Sequence, residues 1–150
     1  MMTITRLYRF SASHRLHSPM LNETENSRLY GKCNNPFGHG HNYVLEVSAA
    51  GSMDGRTGLL LPISKLDCLV QEAVLKRFAH CNINLDVPQF ERLVPTTENL
   101  ALVITDLLEK NWAAYLGGLP VRLHRVHIQE TDRNGFEVRL PQTESVTLHA

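Results

Sequence analysis

Alternating side chains over Asn42–Ala50 constrain the fold of this 150-residue chain more than any other feature. Apolar residues recur there at every second position, which is typical of a strand with one buried face: Tyr43, Leu45, Val47 and Ala49. His39-Gly40-His41 directly precedes this segment. On a strand the two histidines point to the same face and could bind one metal ion together. On a helix they would lie roughly 200° apart around the axis, so the strand is the conformation that favours a shared metal.

A third histidine, His14, lies upstream in the run Ser11–Leu16. Three protein ligands and one open position are typical of catalytic zinc sites. No cysteine or carboxylate stands at a spacing that would obviously complete a tetrahedral structural site. We therefore predict a catalytic zinc site at His14, His39 and His41. A His-x-His pair also arises by chance among eight histidines, and other divalent ions accept the same ligands, so the spacing leaves the metal open.

The composition argues against several classes of function. Fifteen basic and fifteen acidic residues cancel, so we expect no nucleic-acid partner. No segment approaches the roughly 20 apolar residues of a membrane span, and the N-terminus lacks an apolar signal region, so we expect a cytoplasmic protein with no membrane partner. The three cysteines form no even set, and we expect them to be reduced. With 43% hydrophobic residues, residues 1–150 should form one domain.

The remaining periodic segments predict two helices and three further strands. Mixed β-branched and aromatic residues indicate a strand over Thr3–Phe10. Apolar residues recur at steps of three and four over Ser64–Phe78, which predicts an amphipathic helix with Cys68 as a small core or boundary residue. A second helix follows the cap signal Pro95–Glu98 and ends at Gly117-Gly118. The last two strands, joined by a hairpin signal at Asp132–Gly135, are Val121–Glu130 and Gly135–Leu140.

This order of strand, strand, helix, helix, strand, strand predicts an α+β domain, with an antiparallel ββααββ sheet and two helices on one face. The polar segment Pro19–Asn35 lacks periodicity and is long for a hairpin, so we predict a functional loop there. The tail Pro141–Ala150 should be loosely held. No glycine-rich phosphate-binding loop of the Walker or dinucleotide type occurs, so nucleotide cofactors are not indicated.

Five separated motifs together resemble the 6-pyruvoyltetrahydropterin synthase family. They occur in the family's order between about residue 4 and residue 140: Ser11–Leu16, Gly31–Pro36 leading into Gly38–Tyr43, Leu85–Pro88, Thr96–Asn99 and Glu130–Asp132. The six-residue step from Cys33 to His39 resembles the pyruvoyl-forming branch, because the related 6-carboxytetrahydropterin synthases typically have a shorter step. The resemblance implies the tunnelling fold (T-fold) and a homohexamer, a dimer of trimers with sites at subunit interfaces.

The same resemblance implies a zinc-dependent lyase that eliminates triphosphate from 7,8-dihydroneopterin triphosphate to give 6-pyruvoyltetrahydropterin. Zinc on His14, His39 and His41 would leave a position for the hydroxyls of the pterin side chain, and Mg²⁺ would accompany the triphosphate. Cys33 would act as the general base, with His80 assisting it. A thiolate is also favoured at Cys33 by the neighbouring Lys32.

The resemblance further implies a pterin pocket. Glu130 matches the carboxylate that anchors the guanidine-like edge of the pterin, a pairing that suits a planar bidentate acceptor. Thr96, Thr97 and Glu98 match residues that line this pocket, although Glu98 also suits the positive end of a helix. The basic residues that meet the triphosphate are candidates by position only: Arg15, Arg28 and Lys32.

The sequence departs from the family at Ala79, where the family usually has an aspartate that orients the following histidine. Without that carboxylate nothing fixes the tautomer of His80, and acid–base assistance is worth roughly 10²- to 10⁴-fold in rate. Asp86 or Glu98, in this chain or in a neighbouring subunit, could replace the missing partner. Cys81 is a further thiol that could lie in the pocket.

Three functions therefore stay open. The first is the lyase that forms 6-pyruvoyltetrahydropterin. The second is cleavage of the side chain toward 6-carboxytetrahydropterin or 6-hydroxymethyldihydropterin. The third is a non-catalytic pterin-binding protein.

Overall fold

The computed structural model describes residues 1–142, which form a five-stranded sheet with helices packed on one face. The strands, in chain order, are β1 Met2–His14, β2 His39–Gly51, β3 Cys81–Asn82, β4 Val121–Gln129 and β5 Gly135–Arg139. Their order across the sheet is β3-β1-β2-β4-β5. The helices are α1 Glu23–Tyr30, α2 Ile63–Val70, α3 Lys76–Phe78, α4 Ile83–Asp86 and α5 Thr97–Leu116.

Strands β1 and β2 pair antiparallel over their whole length, from Met2 opposite Gly51 to His14 opposite His39. The predicted alternation of β2 is confirmed, because its apolar residues are fully buried: Tyr43, Leu45, Val47 and Ala49. They belong to one core with apolar residues of α2 and α5, among them Leu66, Leu69, Leu100, Ile104 and Leu108. The α+β architecture with two main helices on one face is thus confirmed.

The ends of α5 are those that the sequence predicts. The hydroxyl of Thr96 accepts the Asn99 N–H at 3.2 Å and caps the first turn. The Gly117 N–H donates to the Ala113 carbonyl at 3.0 Å at the other end. The predicted helix over Ser64–Phe78 is present as α2 and α3, joined by a π-helical turn over Gln71–Leu75.

Four expectations need correction or fall outside the structure. The predicted loop Pro19–Asn35 contains α1, which begins with a capping box between Asn22 and Glu25. The sheet is not wholly antiparallel, because the short β3 pairs parallel to β1. Cys68 is exposed rather than buried, since it lies on the outer side of α2. Most of the predicted tail, residues 143–150, lies outside the described residues.

Within residues 1–142, no helix is both long enough and apolar enough to cross a bilayer.

Replacing Phe78 with alanine should lower the free energy of unfolding by about 3–5 kcal/mol. Phe78 is fully buried, and its ring centroid lies 6.2 Å from that of Phe10 and 6.4 Å from that of Phe90. Chemical denaturation measures the change. Leu102→Ala is the matched control, because Leu102 on α5 is 56% exposed and should change stability by less than about 0.5 kcal/mol. Equal effects of the two substitutions would contradict this description of the core.

Candidate metal centre

The register of β1 and β2 brings the three predicted histidines together. His14, the last residue of β1, lies opposite His39, the first residue of β2. His41 follows two residues later on the same face. One ring nitrogen from each histidine lies within 4.8 Å of the others, so the predicted set could hold a metal ion.

The nitrogens of this cluster are arranged as ligands require. His14 Nδ1 lies 2.8 Å from the Pro95 carbonyl oxygen; only a protonated Nδ1 can donate to a carbonyl, and this tautomer leaves Nε2 free for a metal. His14 Nε2 lies 3.1 Å from His39 Nε2. His41 Nε2 is buried and has no hydrogen-bond partner within residues 1–142. An ion bound at about 2.0–2.1 Å from each nitrogen would satisfy all three, so these residues fit a zinc-type metal.

Burial disfavours the charged form of two histidines in the cluster. Burial lowers the pKa of His14, although the Pro95 carbonyl opposes it, and the other two histidines lower it further. Burial and then His41 lower the pKa of His39. Neutral imidazole is the form that binds metals, so these surroundings favour ligation over protonation.

Glu130 lies just past the end of β4, beside the histidines. Its Oε1 lies 3.5 Å from His41 Nε2 and 3.7 Å from His14 Nε2, and the side chain is 15% exposed. The sequence predicts a pterin-anchoring carboxylate here but does not predict its closeness to the histidines. A carboxylate in this position adds negative charge next to the space that a metal cation would occupy.

Tyr43 forms the inner wall of the cluster. Its ring centroid lies 5.6 Å from that of His41 and 6.4 Å from that of His14, and it stacks on Phe10 at 5.1 Å. Burial raises the pKa of the Tyr43 hydroxyl. Sequence reasoning placed Tyr43 in the core only, because alternation along a strand does not show which core residues face a site.

Cys33 lies on a 3₁₀ turn, Gly31–Asn34, and is half-buried. Its carbonyl accepts the Leu16 N–H at 2.9 Å. Asn34 donates to the Leu16 carbonyl at 2.7 Å and accepts from the Arg15 guanidinium at 3.0 Å. The turn that carries the thiol is therefore attached to the two residues that follow His14.

Asn84, on α4, holds the same stretch from the other side. Its Oδ1 accepts the Arg15 N–H at 2.7 Å, and its Nδ2 donates to the Arg15 carbonyl at 2.9 Å. The sequence analysis missed Asn34 and Asn84. Asparagine next to turns is a weak signal for such contacts, because these side chains serve turns and caps as often.

His80 lies outside the histidine cluster. It is exposed and has a positive φ of 58°, and its N–H donates to the Ser11 carbonyl at 2.6 Å. With Cys81 and His41 it lines an open cavity of about 500 Å³. The Cys81 thiol donates to the Phe78 carbonyl at 2.9 Å, and burial raises its pKa.

Within residues 1–142, the carboxylates proposed to replace the missing aspartate form no hydrogen bond or ion pair with His80. Asp86 accepts the Asn82 N–H at 2.8 Å within its own turn. Glu98 is exposed in the first turn of α5. Thr97 is buried, with its hydroxyl unpaired in the described part of the chain. This Thr96–Glu98 segment follows Pro95, whose carbonyl contacts His14.

Replacing Gly38 with alanine should weaken metal binding at least roughly tenfold, because the histidines must then shift. Gly38 has a φ of +71°, and an added Cβ would lie 2.8 Å from the backbone oxygen of His14. Gly58 has the same φ, but a Cβ there would meet nothing within 4 Å. Gly58→Ala therefore controls for backbone strain, which costs roughly 1–2 kcal/mol. Competition with a chelator measures the affinity, and equal affinities would contradict the importance of this contact.

The chain is similar to known proteins of one family. The family model of 6-pyruvoyl tetrahydropterin synthase matches residues 3–141. The 6-pyruvoyl tetrahydrobiopterin synthase of Poecilia reticulata is 45% identical over 132 residues, which cover 87% of this chain and 85% of that protein. The enzyme of the same name from Homo sapiens is 44% identical over 132 residues, 87% of this chain and 86% of that protein.

A solved structure is similar over nearly the whole chain. The 6-pyruvoyl tetrahydropterin synthase of Caenorhabditis elegans superposes with a TM-score of 0.84 and 36% sequence identity, covering 93% of this chain and 96% of that one. The predicted T-fold is thus supported by a structure as well as by sequence.

Proposed function

Because the chain belongs to the 6-pyruvoyl tetrahydropterin synthase family, we propose that it is a zinc-dependent lyase that converts 7,8-dihydroneopterin triphosphate to 6-pyruvoyltetrahydropterin and triphosphate. One observation carries this proposal most directly: three histidines converge at the end of β1, and the turn that bears Cys33 is tied to the residues just beyond. A metal site and a thiol on adjoining backbone are the parts that the reaction needs.

His14, His39 and His41 would hold the metal, and three imidazole ligands favour zinc in a catalytic arrangement. When bound, zinc would polarise the side-chain hydroxyls of the substrate and so acidify the carbon-bound protons next to them. Mg²⁺ would accompany the triphosphate, since it commonly binds phosphate oxygens.

Cys33 is the proposed general base. As a thiolate it would accept a proton from a side-chain carbon of the pterin while triphosphate leaves, and return protons as the side chain is oxidised and the ring is reduced. Because this exchange is internal to the substrate, no nicotinamide is needed. The attachment of its turn to Leu16 would keep the sulfur in position near the metal centre.

His80 is the proposed assistant to Cys33, in spite of Ala79. Its backbone N–H donates to the Ser11 carbonyl, and this hydrogen bond holds the backbone of His80 at a positive φ. The ring is exposed, so solvent or a neighbouring subunit would supply its partner. We expect catalysis to be slower than with an aspartate at position 79, for lack of an orienting group.

Glu130 and the Thr96–Glu98 segment are the proposed pterin contacts. The carboxylate of Glu130 lies beside the metal ligands. Because the guanidine-like edge is at the end of the pterin ring opposite the side chain, Glu130 suits the side-chain end of a substrate whose hydroxyls lie on the metal. Glu98 is the second carboxylate proposed in the pocket. It is exposed on α5 and can reach a pterin edge that points away from the metal.

We also propose that the chain acts in the cytoplasm as a homohexamer, a dimer of trimers. Large apolar side chains are exposed on the single chain, which supports burial between subunits: Met20 at 92%, Phe37 at 95% and Leu85 at 82%.

Product identification by mass tests the proposed function. Zinc-loaded protein given 7,8-dihydroneopterin triphosphate should yield 6-pyruvoyltetrahydropterin and one triphosphate per product. A 6-carboxy or 6-hydroxymethyl pterin would instead support cleavage of the side chain. Binding of the pterin without triphosphate release would support a non-catalytic protein and overturn the proposal.

A further inference from the structure

A second cavity, of about 390 Å³, opens near the end of β1 and the start of β2. Two of its lining residues are chain neighbours of proposed metal ligands: Arg15 follows His14, and Gly38 precedes His39. A third, Asn82, also lines the cavity that contains His41 and His80. The two cavities therefore share one lining residue.

The charges around this second cavity are mostly positive. Arg15 and Arg92 line it together with His17, and Glu91 is its one acidic lining residue. Within residues 1–142, the arginines that form ion pairs are Arg6, Arg56, Arg125 and Arg139. Arg15 and Arg92 form none there, so neither guanidinium is neutralised by a carboxylate of the described chain.

Arg15 is also held in a fixed position. Its Nε donates to the Asn34 carbonyl, and its backbone is held on both sides by the Asn84 amide. The terminal nitrogens of the guanidinium have no partner in the described part of the chain. A pre-positioned arginine with free terminal nitrogens is well suited to a phosphate group, which it can bind through two parallel hydrogen bonds.

We propose that this cavity, which we call the Arg15–Arg92 pocket, binds the triphosphate of the substrate. The proposal rests on the proposed function, because it needs a substrate whose side chain lies on the metal and whose triphosphate extends from that side chain. The pocket also distinguishes among the basic residues that the sequence offers as triphosphate ligands. Arg15 lines the pocket, whereas Arg28 lines a different groove with Glu23, Thr24 and Ser27. Arg92 was not a candidate, because it lies 77 positions from Arg15 in the sequence.

Removing the guanidinium at position 92 tests the pocket. Arg92 is exposed, so Arg92→Ala should fold normally. We expect its Kd for inorganic triphosphate, measured by calorimetry on the zinc-loaded protein, to rise roughly 10- to 100-fold, as for loss of a hydrogen bond to a charged group. The KM for 7,8-dihydroneopterin triphosphate should rise to a similar extent. The Kd for 7,8-dihydroneopterin, which lacks phosphate, should stay unchanged.

Arg56→Ala is the matched control, because Arg56 has a side chain that is 91% exposed and lies in a different loop. All three constants should stay unchanged in this variant. If Arg92→Ala also leaves triphosphate binding unchanged, or weakens both ligands equally, the proposal is overturned. A wild-type protein that binds inorganic triphosphate through Arg92 but releases none from the pterin would support the pocket and refute the proposed function.

Discussion

Replacing His41 with alanine should weaken zinc binding by more than roughly 100-fold, since even partners outside the ligand set are worth 10- to 100-fold in affinity. Triphosphate release at limiting zinc should fall to the background rate. The reason is the geometry of the cluster: His41 Nε2 is buried without a partner in the described chain, so its ring serves no other visible hydrogen bond. The fold should survive, because the ring lies at the start of β2, outside the apolar core.

Competition with a chromogenic chelator measures the zinc affinity, and circular dichroism checks the fold. His124→Ala is the control, because its Nδ1 is also buried and unpaired in residues 1–142 but the residue lies on β4, away from the cluster. It should bind zinc like the wild type. If both variants bind zinc normally, the three histidines are not the metal site.

The parts of the fold that follow a repeating pattern could be predicted from the sequence. Burial of Tyr43 and Leu45 follows from period-two alternation, and the start of α5 follows from the Thr96 cap. The helix α1 was missed because its eight residues carry no clear apolar stripe. The capping box between Asn22 and Glu25 was the available signal. The two-residue β3 lies below the length at which alternation can be recognised.

The candidate site could likewise be predicted only in part from the sequence. His39 and His41 could be paired from their spacing on one strand, and His14 was added as the third ligand that a catalytic zinc site needs. The contact of His14 with Pro95 could not be predicted, because a backbone carbonyl leaves no trace in the side-chain pattern. The closeness of Glu130 to His41 depends on the register of β4 beside β2, which includes a β-bulge near Ser48. Such a bulge shifts which residues oppose each other.

Cys33→Ala should lower the rate of triphosphate release by roughly 10²- to 10⁴-fold, the usual contribution of a positioned acid or base. The substitution removes only the sulfur. The contacts that hold the turn involve the backbone of Cys33 and the side chains of Asn34 and Arg15, so they are retained. Zinc affinity and the Kd for 7,8-dihydroneopterin should therefore stay at the wild-type values.

Cys68→Ala supplies the matched control, because Cys68 is a free and exposed thiol on α2. Its rate should equal that of the wild type. Cys81 is unchanged in Cys33→Ala. A lower rate in that variant would therefore also show that the half-buried Cys81, whose pKa burial raises, does not replace Cys33 as the base.

The most direct test of the proposed lyase, with Cys33 as its base, is the rate of triphosphate release by zinc-loaded wild type, Cys33→Ala and Cys68→Ala. The pterin product is identified by mass in each reaction. We expect 6-pyruvoyltetrahydropterin at equal rates from wild type and Cys68→Ala, and at least a roughly 100-fold slower release of triphosphate from Cys33→Ala. Undiminished release from Cys33→Ala would contradict the thiol's role as base. No release from any of the three proteins would contradict the lyase itself.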